Sequence, residues 1–278
     1  MTTDNESGSA QTRSLVHGVE NAVCLQLGIA KLRHRSALHS LCLPANIDLA
    51  EIVYRVIENN WLAGGAEGNK DRSQQNWRWT RQTRVSPKNK SPEVLLERAI
   101  ASACASTNRT DWANQIPVAS GLIKSAADGR RAIDLAHCRG TEHYELIELK
   151  IASDTPLYAA IELLGYASLW LLSRATPPAH QPALLKAKHI DLRVLAPLSY
   201  YTPFKLVELE YCIDRGVKAL GQQHGVQITF RYDLLPPTLL QSLLPESAEL
   251  LDAMTKSGPL HGDGEELFND AKVRPFGQ

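Results

Sequence analysis

The chain has little of what marks the specialised classes. Aromatic residues make up 6% of its 278 positions, methionine occurs twice, and the five cysteines at 24, 42, 104, 138 and 212 contain no CxxC pair. Their odd number and wide scatter argue against a disulfide framework, a zinc ribbon or a redox motif, and fit a reducing cytoplasm. Charge of neither sign is in excess, with 30 Lys and Arg against 30 Asp and Glu. Any affinity for nucleic acid must therefore come from local clustering. Long apolar runs are also missing. The most apolar stretch, Leu157 to Leu172, is short for a bilayer and carries Glu162 in its middle, so a buried helix and no membrane segment are expected. The first fourteen residues are polar and predict no secretory signal. Nor is there an internal repeat, a GxSxG elbow, a P-loop or a Rossmann fingerprint, which removes the usual routes to serine hydrolysis and nucleotide binding.

What is present is an ordinary globular balance, 44% hydrophobic and 22% charged, long enough for one core with an appendage. In residues 1–68, Val16, Val19, Val23 and Leu27, then Ile47, Ile52, Val53 and Val56, recur at helical spacing and predict an N-terminal region of two or three helices. Residues 69–90 break every periodicity and read as a basic linker or loop. Ser91-Pro92 supplies an N-cap and a first-turn proline for a helix running to about Ala105. Strand patterns follow at Ile116 to Ile123, Arg131 to His137 and His143 to Ile151, with a turn at Arg139-Gly140-Thr141. Thr155-Pro156 repeats the capping signal before an Ala- and Leu-rich helix to about Ser173. A strand at His189 to Leu195, a helix at Lys205 to Leu220, a strand at Val226 to Tyr232 and one more helix beyond Pro236 complete a core over 91–256. Residues 257–278 read as a loosely held tail.

The chemistry is concentrated in the segment Glu145-Leu-Ile-Glu-Leu-Lys150. On a strand, residues two apart share a face, so Glu148 and Lys150 point together while Ile147, Leu149 and Ile151 face away. A hairpin turning at Gly140 to Thr141 sets Asp134 opposite Glu148. Two carboxylates side by side repel unless a proton or cation compensates them. Oxygen ligands from Asp134, Glu148 and the backbone carbonyl of Leu149 suit Mg²⁺ or Mn²⁺. A lysine beside such a metal can orient the attacking water and offset charge growing on a phosphoryl group.

These residues resemble the PD-(D/E)XK nuclease superfamily. The resemblance covers roughly Ser91 to Leu195 and lies in the order of elements, α-β-β-β-α-β, together with Asp134 and Glu148-x-Lys150. It implies an α/β, restriction-endonuclease-like core, a central mixed sheet flanked by helices, here with an N-terminal helical appendage. The implied activity is metal-dependent hydrolysis of phosphodiester bonds in nucleic acid, DNA first, with Mg²⁺ or alternatively Mn²⁺. The family's acidic residue on the first helix corresponds to Glu93 or Glu97, either of which would complete the ligand set. Its RecB-like branch carries Gln-x-x-x-Tyr on the following helix, where this chain has Glu162 and Tyr166. The glutamine has become a glutamate, and a second acid there would approach the metal.

Blander readings stand beside these. Glu-x-Lys is common on solvated strands, Glu93 suits a helix N-terminus whatever its chemistry, and Tyr166 fits core packing. His137, Cys138 and His143 flank the hairpin turn, but their spacing matches no standard zinc pattern, which leaves them as surface loop residues. Between Asn69 and Lys90 there are seven basic residues and one acidic, with Trp77 and Trp79 among Arg78, Arg81 and Arg84. That segment reads equally as a surface for phosphates and unpaired bases or as a solvated linker. A homo-oligomeric or protein contact through the N-terminal helices is a further expectation. The rival reading of the whole is a catalytically inactive binding module of the same fold.

Overall fold

The structure is a computed structural model, and the residues it describes are 14–39, 41–64, 76–86, 88, 91–118, 131–240 and 244–261. The N-terminal periodicity forms helices α1 (Val19–Leu27), α2 (Arg35–His39) and α3 (Leu49–Gly64). On α3, Leu49, Val53, Ile57 and Trp61 are buried at intervals of four, one apolar stripe along the helix. That stripe joins the same apolar cluster as one face of the sheet, so these helices form a layer of the core.

Helix α4 (Pro92–Ser106) begins where Ser91 Oγ accepts from the Val94 N–H, with proline in its first turn. Strands β1 (Trp112–Pro117), β2 (Ala132–Gly140) and β3 (His143–Leu149) form the antiparallel meander. Helix α5 (Pro156–Ala175) is capped by Thr155, whose hydroxyl accepts from Tyr158 N–H and donates to Leu32 O at 2.7 Å. One cap thereby fixes both the start of α5 and the chain before α2. Then come β4 (His189–Ala196), a short α6 (Leu198–Tyr201), α7 (Val207–Gln223), β5 (Gln227–Leu234) and α8 (Ser247–Thr255). The strands form one mixed sheet in the order β1-β2-β3-β4-β5, antiparallel as far as β3 and parallel beyond. The parallel step from β3 to β4 needs a crossover, and α5 supplies it. By length and composition α5 would also cross a membrane, but 89% of its apolar window is buried in the protein. The architecture agrees with the expected α/β class.

Three boundaries differ from the sequence reading. The first strand lies at 112–117 instead of 116–123, and residues 119–130 fall outside the described set. Periodicity misplaced it because Trp112, Ala113 and Asn114 are all buried and Gln115 takes a left-handed φ of 52°, so no clean alternation is written there. The start of the expected tail is held in place. Pro259 bridges to Asp233, Leu260 N–H donates to Tyr232 O at 2.8 Å, and Ser257 accepts from the buried Arg193 at 2.6 Å. Residues 76–86, expected as linker, run along β1: Trp77 N–H donates to Pro117 O at 2.7 Å and Asn114 N–H to Thr80 O at 3.0 Å. Covering the backbone of an edge strand in this way removes a site of unwanted pairing.

Candidate metal and phosphoryl-transfer site

The β2–β3 register pairs Leu135 with Ile147, and one step further brings Asp134 across from Glu148. A bulge between Cys138 and Gly140 absorbs the extra residue of the turn and keeps that register. Asp134 Oδ2 accepts the Leu149 N–H at 3.0 Å, which ties its carboxyl to the end of β3. Lys150 continues β3 through its N–H to Leu195 O at 3.0 Å. Its ammonium lies 2.7 Å from Glu148 Oε1 and 3.0 Å from Glu162 Oε2, with Asp154 Oδ2 at 4.0 Å. On the other side, the β1–β2 register pairs Asn114 with Leu135 and Ile116 with Ile133, flanking Gln115 and Asp134, and the Gln115 amide donates to Glu97 Oε2 at 2.8 Å. The unusual φ of Gln115 thus accompanies a link from α4 to the sheet.

Three acids, Asp134, Glu148 and Glu162, act on one lysine, and Glu97 is close enough to Asp134 for the two carboxyls to interact. Glu97 and Glu148 are 1% and 3% exposed. Burial, with some relief from Lys150, pushes the Asp134 carboxyl up to about 6. Burial and the charges of Asp134 and Glu162 raise Glu148 well above the carboxylate range. Glu97 is pushed up to about 8 by burial and by Asp134. The Lys150 ammonium loses hydration, but Glu148 and Glu162 more than compensate and hold its pKa above the ordinary value. Such a group of acids binds protons more readily than free carboxylates do, and a divalent cation can take their place. Glu148 Oε2 is buried with no N–H or hydroxyl donor among the described residues facing it, and the Glu148 and Asp134 carboxyls lie close enough to share a hydrogen bond.

The two helix acids separate by role. The Glu93 carboxylate accepts from Ile151 N–H at 3.1 Å, Ala152 N–H at 3.3 Å and Ser153 Oγ at 3.2 Å, and Ser91 Oγ donates to it at 2.7 Å. Burial opposes its charge, but these donors outweigh it and lower its pKa to about 2. Glu93 therefore straps the loop after Lys150 to α4, and Glu97 is the acid turned toward Asp134. Tyr166 is buried, and loss of hydration together with Glu148, Glu162 and Asp134 raises its phenol well above the usual value. Glu162 and Tyr166 also line a cavity of about 290 Å³, together with Val16, His17, Arg131 and Tyr158.

The basic segment divides in two. Trp77 is buried at 1% exposure and so is packing rather than a stacking platform. Trp79 donates to Thr110 O at 2.9 Å and meets Tyr144 edge-on, while Arg78, Arg81 and Arg84 are exposed. His137 and Cys138 are not surface loop residues. His137 is buried in β2 with Nδ1 2.8 Å from Glu145, and Cys138 is half-buried. Two features had escaped the sequence. Tyr200 is buried close enough for Lys150, Asp154, Glu148 and Glu162 to act on its hydroxyl. Arg33 stacks over Tyr158, hydrogen-bonds its hydroxyl, and reaches Asp154 at 3.1 Å. Their distance in sequence from the Glu-x-Lys strand gave no signal that they belong to it. Among the described residues the clustered acids do not form three ligand atoms within 4.8 Å of one another, and Lys150 contacts both Glu148 and Glu162. No family model matches the chain, and no curated protein or solved structure shows significant similarity to it.

Proposed function

We propose that the chain is a metal-dependent nuclease of the PD-(D/E)XK type that hydrolyses phosphodiester bonds, with DNA as the first substrate. The observation that carries this reading is the juxtaposition of Asp134 and Glu148 across β2–β3 with the Lys150 ammonium 2.7 Å from Glu148. Asp134 and Glu148, with the Leu149 carbonyl, would hold Mg²⁺ or Mn²⁺, and Glu97 would add a ligand. Such an ion supplies Lewis acidity and a water of lowered pKa. Lys150 would orient an attacking water and offset charge on the phosphoryl oxygens. Glu162 retains the ammonium, and the cavity it lines with Arg131 and Tyr166 offers a cation and hydroxyls to the flanking phosphate. The exposed Arg78, Arg81 and Arg84 would add phosphate contacts along β1. Free cysteines throughout support a reducing compartment such as the cytoplasm.

One observation favours the second reading, a non-catalytic nucleic-acid- or protein-binding module. Lys150 is locked between two carboxylates where the ion would sit. The test is incubation of labelled single- and double-stranded DNA and RNA with Mg²⁺, Mn²⁺ or EDTA, beside folded Asp134→Ala and Lys150→Ala proteins. Cleavage that needs the ion and is lost in both variants supports the nuclease. Binding without cleavage supports the module, and equal cleavage by all three proteins refutes the site.

A further inference from the structure

We propose that the opposite face of the sheet carries a second, chemically different cation site, formed by His143, His189 and Asp191 and suited to Zn²⁺ or a similar borderline divalent metal. His143 and Asp191 belong to the strand faces that point away from Glu148, since side chains alternate along β3 and β4. The parallel register of β3 and β4 sets His143 beside His189, and the two imidazoles stack with centroids 4.0 Å apart. Both present Nε2 to one carboxylate: His143 Nε2 lies 2.7 Å from Asp191 Oδ2 and His189 Nε2 3.0 Å from Asp191 Oδ1. Among the described residues this is the group of three ligand atoms that all lie within 4.8 Å of one another.

Three features favour a metal over a plain hydrogen-bonded triad. His189 Nε2 is buried and has no hydrogen-bond partner despite its closeness to Asp191, so the carboxylate leaves it unsatisfied. Thr229 on β5 donates to Asp191 Oδ1 at 2.6 Å, an outer partner that fixes a ligating carboxylate. The histidine side chains remain about a third exposed, so the group borders solvent from which an ion could load. Two imidazole nitrogens and one carboxylate oxygen are the donor set of an open zinc centre and a poor match for Mg²⁺. A metal must lie in the plane of each ring it binds. The rings are 1° from parallel, so loading would splay them toward Asp191.

The test uses the full, untagged chain, stripped with chelator and titrated with Zn²⁺ against a chromophoric competitor. One Zn²⁺ per chain is expected, unchanged in Asp134→Asn, weakened roughly 10- to 100-fold in Thr229→Val as for removal of a group that orients a ligand, and abolished in the His143→Ala/His189→Ala double variant. Zinc-edge absorption of the wild-type protein is expected to show imidazole bound to the ion, a readout that does not depend on any variant folding. A wild-type chain that takes up no stoichiometric zinc, zinc retained by the double variant, or an ion without imidazole ligands would overturn the proposal. Loss of zinc in Asp134→Asn would overturn it too, by placing the ion at the carboxyl site.

Discussion

The Glu148 carboxylate and the Lys150 ammonium meet at 2.7 Å with 4% and 9% of their side chains exposed. A buried ion pair is expensive to form and more expensive to break from one side, because the remaining charge keeps its desolvation cost without its partner. Here the surviving partners would be the Asp134, Glu148 and Glu162 acids together. Lys150→Met should therefore cost about 3–5 kcal/mol at pH 7.5. Asp134 and Glu148 already have raised pKa values, so part of the deficit is recovered as pH falls and they take up protons. Urea unfolding at pH 5 and pH 7.5 measures both quantities. An equal deficit at the two pH values would mean that Lys150 contributes by packing and not by charge.

Glu97 gives the clearest dependence on pH. Its carboxyl titrates near 8 in the fold, against an ordinary value of 4.5. A raised folded-state pKa means that its contribution is complete below about pH 4 and is lost as pH rises toward 8, where ionisation is forced on a buried group. Glu97→Gln keeps a hydrogen-bonding group against Gln115 and cannot ionise. In EDTA its melting temperature should match wild type near pH 5 and exceed it by several degrees at pH 8.5. A wild-type advantage at pH 8.5 would show that the carboxylate is stabilised by something other than its hydrogen-bonded neighbour.

The basic segment predicts a division between its arginines and its first tryptophan. Trp77→Ala empties a buried position and should cost about 3–5 kcal/mol. The triple change of Arg78, Arg81 and Arg84 to Ala should lower the melting temperature far less than Trp77→Ala, since the Arg81 bond to Arg109 O that it removes is exposed. It should also flatten the salt dependence of DNA affinity by about 0.7–0.9 in log–log slope for each phosphate that the arginines had neutralised. Fluorescence anisotropy between about 50 and 200 mM salt, a range where phosphate neutralisation dominates affinity, gives the slope. An unaltered slope would remove the segment from the binding surface.

Thiol chemistry tests the packing independently. Cys42 is exposed, whereas Cys24, Cys104 and Cys212 are buried. Burial raises all three of those thiols, Cys104 to about 11. Maleimide labelling of the native protein followed by peptide mass mapping should mark Cys42 first, with Cys24, Cys104 and Cys212 protected until denaturant is added. Rapid native labelling of Cys104 would contradict the seating of α4 on the sheet.

Much of this arrangement is written locally. Ser91-Pro92 and Thr155-Pro156 announce their helices because a cap and its proline lie within a few residues of each other. Asp134 and Glu148 can be paired from sequence because a short hairpin fixes register. Long-range relationships are less legible. Glu93 and Glu97 lie one turn apart on α4, and only the docking of that helix shows that one straps a loop and the other faces Asp134. Trp77 reads as a stacking residue beside its arginines, and its burial depends on a hydrogen bond to Pro117, forty residues away. His143 shows no metal-ligand spacing because its partners, at 189 and 191, lie more than forty residues away and are brought beside it by a parallel crossover.

The measurement that bears most directly on the central claim is a Mn²⁺ titration at pH 7.5 followed by electron paramagnetic resonance, carried out in the His143→Ala/His189→Ala background so that the far face of the sheet contributes nothing. One bound Mn²⁺ per chain is expected, displaced by Mg²⁺ and lost when Asp134→Asn or Glu148→Gln is added. Mn²⁺ binding that survives both substitutions, or no binding with the carboxyl pair intact, would contradict it.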